Sequence, residues 1–158
     1  MLHHPEPYLL APSALTATAL LERAAQMAAL PALLDALRAG GGPVRVRHTP
    51  LYDAWLVPWE QGDATDLHAH GGAHGAYVPL SGALVETAAS AAAVRERVVL
   101  AGERVAFRPD YAHRLAAVEG PAVSLHLSSP PRPTGGCAPL PAARPAAVPV
   151  LAAAAPLG

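Results

Sequence analysis

His68-Ala69-His70-Gly71-Gly72-Ala73-His74-Gly75 gathers three of the chain's eight histidines into seven positions, set among glycines. Read as a strand over residues 65–70, the stretch turns Asp66, His68 and His70 to one face and Leu67 and Ala69 to the other, because side chains alternate along a strand. Two imidazoles on one face can reach a single metal ion, and a third ligand then has to come from a neighbouring strand. Two later segments offer one. Asp110-Tyr111-Ala112-His113 follows a short run ending in Phe107. In Ser124-Leu125-His126-Leu127-Ser128, Val123, Leu125 and Leu127 face one way while Ser124, His126 and Ser128 face the other. Polar groups on one side of an otherwise apolar strand need partners if that side is buried. Three neutral imidazoles suit zinc, iron, nickel or copper and leave coordination positions open for chemistry.

Composition narrows the surroundings of that site. With 158 residues the chain is long enough for one domain with a real core. A formal net charge of −1 and no Lys/Arg cluster argue against a nucleic-acid surface. The single cysteine, Cys137, excludes an internal disulfide framework and fits a reducing compartment; set in a Gly/Pro-rich context, it reads as inert. Met1-Leu2-His3-His4-Pro5 has neither the basic region nor the apolar core of a signal peptide. No apolar run reaches the roughly 18 residues of a membrane span. The expectation is a soluble cytoplasmic protein that binds neither nucleic acid nor membrane, as a monomer or small homo-oligomer.

Along the chain, residues 1–42 read as an N-terminal helical segment, 43–131 as the domain carrying the site, and 132–158 as a Pro/Ala-rich tail, extended or disordered. From Ser13, a plausible N-cap, Leu15, Leu20, Leu21, Met27, Leu30, Leu33, Leu34 and Leu37 recur near helical spacing among alanines. Pro31 should divide this region into two helices, and Gly40-Gly41-Gly42 should stop it. Its apolar side is expected to cover one side of a sheet. After Pro43, strands are predicted near 43–49, 53–59, 65–70, 74–80, 82–88, 95–100, 104–108, 113–118 and 122–128. Short strands at such regular spacing make a mainly β chain, a sandwich or barrel.

These residues resemble a known family. Gly62, five intervening residues, His68-Ala69-His70 and later Gly82 form the first cupin motif, and His113 sits where the second motif has its histidine. WLVPWEQGDATDLHAHGGAHGAYVPLSGALVET at 55–87, the histidine of DYAHRLAAV and AVSLHLSSPP at 122–131 resemble the cysteine dioxygenase family in its bacterial form. The resemblance implies a cupin-type jelly-roll barrel in which His68, His70 and His113 bind one non-haem Fe(II). It implies a small thiol and O2 as reaction partners, a sulfinic acid as product, and Arg47 clamping the substrate carboxylate, with Arg45 as runner-up; a bidentate guanidinium suits that role. Ser124 and His126 match two members of the family's Ser-His-Tyr relay, and Ser128 stands in place of the tyrosine. Tyr77 or Tyr111 is the candidate to supply a phenol instead, Tyr77 at the substrate. Gly75 occupies the position where other cupins carry glutamate and where animal members carry a crosslinking cysteine. His74 is expected to orient a ligand from behind rather than to bind metal, and Ser129-Pro130 to be cis. The reading is a thiol dioxygenase acting on cysteine or a close thiol acid. The alternative is a weakly active or non-catalytic metal-binding cupin, serving as a small-ligand sensor or structural module; Ser128 favours it.

Overall fold

Short β-prone runs broken by glycine and proline become eight strands in the computed structural model, which describes residues 14–38 and 41–132. They are β1 (Val44–His48), β2 (Asp53–Trp59), β3 (His74–Ser81), β4 (Ala83–Ala89), β5 (Val94–Leu100), β6 (Val105–Phe107), β7 (Ala112–Ala116) and β8 (Ala122–Ser129). Two antiparallel sheets result, a five-stranded one ordered β1-β2-β8-β3-β6 and a three-stranded one ordered β5-β4-β7. The fold is the mainly β, cupin-type double-stranded helix with a short helical segment in front.

The period of two sorts the larger sheet into two cores. Ala54, Leu56, Ala76, Val78, Leu125 and Leu127 pack on one side against Leu20, Ala24 and Leu33. Val57, Trp59, Tyr77 and Ala122 pack on the other against Leu84, Val99 and Leu115 of the smaller sheet. Helix α1 (Ala17–Ala28) therefore covers the outer face of this sheet, and β8 is buried on both sides. Full burial of a leucine such as Leu20 or Leu125 stabilises by about 1.5–3 kcal/mol each, which anchors the helix where propensity alone would leave it marginal.

Several boundaries differ from the sequence reading. Thr16, not Ser13, caps α1, accepting from the Ala19 amide; Ser13 lies outside the described residues. Pro31 opens a 3-10 turn (Pro31–Leu34) that leads into a single-turn α2 (Asp35–Arg38). Pro has no amide to lose at a first helical position, so the division falls there. Residues 65–70 are not a strand. They run beside β7 through two isolated bridges, Ala64 to Ala116 and His68 to His113, with Asp66 and Leu67 exposed between them. A period-of-two pattern survives in the sequence, but the ladder is interrupted. Ser129-Pro130 is cis. Cys137 and the Pro/Ala-rich tail after Arg132 lie outside the described residues, as do His3 and His4. No helix among the described residues is long and apolar enough to cross a membrane.

Candidate metal centre

His68 and His113 are placed side by side by a reciprocal pair of backbone hydrogen bonds, 3.0 Å from the His68 amide and 2.9 Å from the His113 amide. Two residues on, Gly71 and Gly72 take φ of +54° and +89° and turn the chain sharply after His70; glycine adopts this region without a Cβ clash. The three rings converge, each pair of centroids 5.0 Å apart. One nitrogen from each lies within 4.8 Å of the others. His70 and His113 are buried and His68 is half-buried.

Hydrogen bonding assigns the tautomers of two rings. His68 Nδ1 donates to the Asp66 carbonyl at 2.8 Å, since a carbonyl only accepts. His113 Nδ1 donates to Glu86 Oε1 at 2.8 Å. Both therefore direct an unprotonated Nε2 away from those partners. His70 Nε2 lies 3.0 Å from His113 Nε2, and two imidazole nitrogens facing one another this closely must share a proton or a cation. Burial first, then the neighbouring histidines and Arg132, lowers His70 to about 3. His68 is lowered too, by burial above all. Burial thus keeps His68 and His70 neutral, and with His113 they offer three imidazole nitrogens, a set that fits a divalent transition metal.

Glu86 is the residue the sequence reading missed. Its carboxylate is buried, bonded to His113 on one side and to Arg97 at 2.6 Å on the other. Burial pushes its carboxyl up, but the bonds from His113 and Arg97 outweigh this and hold it below the ordinary value. The available signal was parity: Glu86 shares a face with Leu84 in ALVETAA, a carboxylate on a strand's core side.

A second polar group lines the inner face of the larger sheet. The Trp59 indole N–H donates to Ser124 Oγ at 2.8 Å, and Ser124 Oγ lies 2.7 Å from His126 Nε2. Ser124 Oγ thus links the Trp59 indole to the His126 ring. Burial lowers His126 to about 3 and keeps it neutral. Tyr77, paired in register with His126, stacks on it at 5.4 Å and 15°. The Tyr77 hydroxyl and Ser128 Oγ are buried without a hydrogen-bond partner. Burial, then the Glu86 charge, raises Tyr77 far above its usual range, so this phenol stays protonated.

Gly75 pairs in register with both Ser128 and Phe107. A Cβ at Gly75 would fall inside the Phe107 ring, and that ring packs 4.2 Å from His70 and 4.9 Å from His113. Phe107 thus occupies the space a side chain at 75 would need, which rules out a fourth protein ligand from that position. His74 is not brought to the cluster: it lies in β3 on the parity of Ala76 and Val78, which face α1, and its Nδ1 has no partner. Arg45 and Arg47 are both exposed; Arg47 stands opposite Ala54, past a bulge in β1. Arg45, by contrast, pairs with Trp55, which pairs with His126, and its guanidinium lies 5.6 Å from the Trp55 ring centre. Arg132 is a cation the sequence reading did not consider; its Nη2 comes 2.8 Å from where a Gly71 Cβ would sit.

Comparison with known proteins agrees with this geometry. No curated protein matches the chain. Among solved structures, KdgF from Halomonas sp. is 22% identical, with a TM-score of 0.53 over 58% of this chain and 79% of that one. A cupin-2 domain containing protein from Shewanella frigidimarina is 16% identical, with a TM-score of 0.52 over 65% of this chain and 95% of that one. At these identities the likeness is one of fold. The sequence pattern of cysteine dioxygenase type I matches residues 44–137, which span the barrel, the three convergent histidines and the Ser124–His126 pair. This chain belongs to the cysteine dioxygenase type I family.

Proposed function

We propose that the protein is an Fe(II)-dependent thiol dioxygenase. It would join O2 to cysteine, or to a close thiol acid such as 3-mercaptopropionate, so that R–SH and O2 give R–SO2H. The observation that carries this reading is the convergence of three imidazoles, His68, His70 and His113, in a chain of the cysteine dioxygenase family. These three residues would hold the iron. When bound, it would supply the redox chemistry by which O2 reacts with a thiol sulfur. Phe107 over Gly75 keeps a fourth side chain away, leaving positions for small molecules.

The chain's own groups would do the rest. His126, held through Ser124 and Trp59, offers a buried neutral ring beside the candidate metal site. Arg45 is the better-placed clamp for a substrate carboxylate, because its row crosses to His126, whereas Arg47 stands opposite a residue that faces the helix. Ser128 stands where the family tyrosine would reach the substrate; its Oγ, buried without a partner, can serve that spot only through a bridging water. The same feature favours the second reading, a metal-binding cupin with little or no turnover that senses a small ligand.

O2 uptake by anaerobically Fe(II)-loaded protein separates the two. Uptake driven by cysteine or 3-mercaptopropionate, absent in His70→Ala, is the expected result. Stoichiometric iron with no thiol-driven uptake would sink the dioxygenase reading and leave the sensor. Arg45→Ala should raise the thiol KM with iron content unchanged, and by more than Arg47→Ala does; the reverse order would return the clamp to Arg47.

A further inference from the structure

One buried carboxylate, Glu86, lies behind the three-histidine cluster rather than in it. Glu86 projects from β4 into the interior, fully buried, and is held between a buried imidazole and a half-exposed guanidinium. A buried carboxylate is costly unless it is paired and hydrogen-bonded. Here both oxygens are used: Oε1 accepts from His113 Nδ1 at 2.8 Å, and Oε2 accepts from Arg97 Nε at 2.7 Å, with Arg97 Nη2 at 2.6 Å. The register supports this arrangement: Arg97 lies directly opposite Glu86 on one side, and Leu115, two residues from His113, lies opposite on the other. Arg97 also borders a cavity of about 1030 Å3 between the β4–β5 hairpin, Phe107 and Tyr111.

We infer that Glu86 is the positioning residue of the metal centre, fixing His113 as the Nδ1–H tautomer with its Nε2 aimed at the ion, and that Arg97 holds the Glu86 carboxylate in place. This inference rests on the three-histidine reading above. A ligand imidazole free to rotate or to protonate Nε2 binds metal poorly, whereas a carboxylate behind it locks the ring and makes its other nitrogen more basic. His68 gets its orientation from the backbone carbonyl of Asp66, which no substitution removes. His113 gets it from a side chain, so this ligand's orientation can be broken by a single mutation. Arg97 contributes by preventing the carboxylate from turning away to satisfy its second oxygen elsewhere.

The test has two arms, one of which needs no metal. In metal-free protein labelled with 15N at histidine, long-range 1H–15N spectra read the His113 tautomer directly. Wild type is expected to show Nδ1–H, and Glu86→Ala a mixture or Nε2–H. In anaerobic titration with Co(II) and with Fe(II), Glu86→Ala should bind about 10–100-fold more weakly, with a shifted Co(II) visible spectrum. Arg97→Gln should weaken binding less and leave the tautomer unchanged. If Glu86→Ala does not fold, as judged by circular dichroism, Glu86→Gln carries the binding arm: its amide oxygen still accepts from His113 and keeps the tautomer, but its NH2 repels Arg97 and the charge behind the ring is lost, so weaker binding is expected. Wild-type tautomer and wild-type affinity in the folded variant would overturn the inference. Failure of wild type to bind either metal would overturn the three-histidine reading instead, and the tautomer arm would still decide the role of Glu86.

Discussion

The two sides of the barrel interior treat buried polar atoms differently. Around His113, both Glu86 oxygens and the ring's Nδ1 have partners. Around His126, the pattern breaks off: Ser124 and Trp59 are bonded, but Ser128 Oγ and Asp53 Oδ1 are buried without partners. Buried polar groups are almost always satisfied in native proteins, so a cluster of exceptions beside a candidate metal site marks where a ligand or water belongs. One side is built to stay still and the other to receive something.

The contrast can be broken at its paired end first. Arg97→Leu leaves the Glu86 carboxylate buried with only His113 to answer it. Breaking a fully buried pair costs roughly 3–5 kcal/mol; Arg97 is half exposed, so about 2 kcal/mol of metal-free stability should be lost in urea unfolding. No loss would mean that the ion pair is decorative.

Acid should act next. The His126 ring, at about 3 in the folded protein, stays neutral where an unfolded histidine, near 6.5, takes a proton. Between those values the unfolded chain binds more protons, so stability falls as pH drops through that window, by up to about 1.4 kcal/mol per pH unit for one group. Melting of the metal-free protein from pH 7 to pH 5 should show this decline, and His126→Asn should make it shallower by one group's share, His70 and His68 supplying the rest. A slope unaltered in that variant would place the acid sensitivity elsewhere.

The smallest expected effect has the opposite sign. Ser128→Ala removes an orphaned hydroxyl from the receptive side and should stabilise the metal-free protein by about 1 kcal/mol, since an unsatisfied buried group costs about 1–3 kcal/mol. A destabilised variant would show that Ser128 has a bound partner after all, and the contrast between the two sides would weaken.

The sequence alone determined a good deal. The period of two through β2, β3 and β8 marked which residues share a face, and the leucines from Leu20 to Leu33 marked an apolar side that covers a sheet. The His68-x-His70 repeat marked two ligands, because ligand type and parity are local properties, and the resemblance to cupins pointed to His113 as the third. Tertiary structure decided the rest. Residues 65–70 lost their ladder because pairing depends on a neighbour's register, which no single segment encodes. His74 falls on the helix-facing phase of β3, and a bulge in β1 puts Arg45 opposite Trp55 and Arg47 opposite Ala54. Glu86 and Phe107 became part of the centre only when β4 and β6 closed against His113 and His70. A carboxylate 27 positions from the imidazole it orients is visible as chemistry in the sequence, but its target exists only once β7 pairs beside β4.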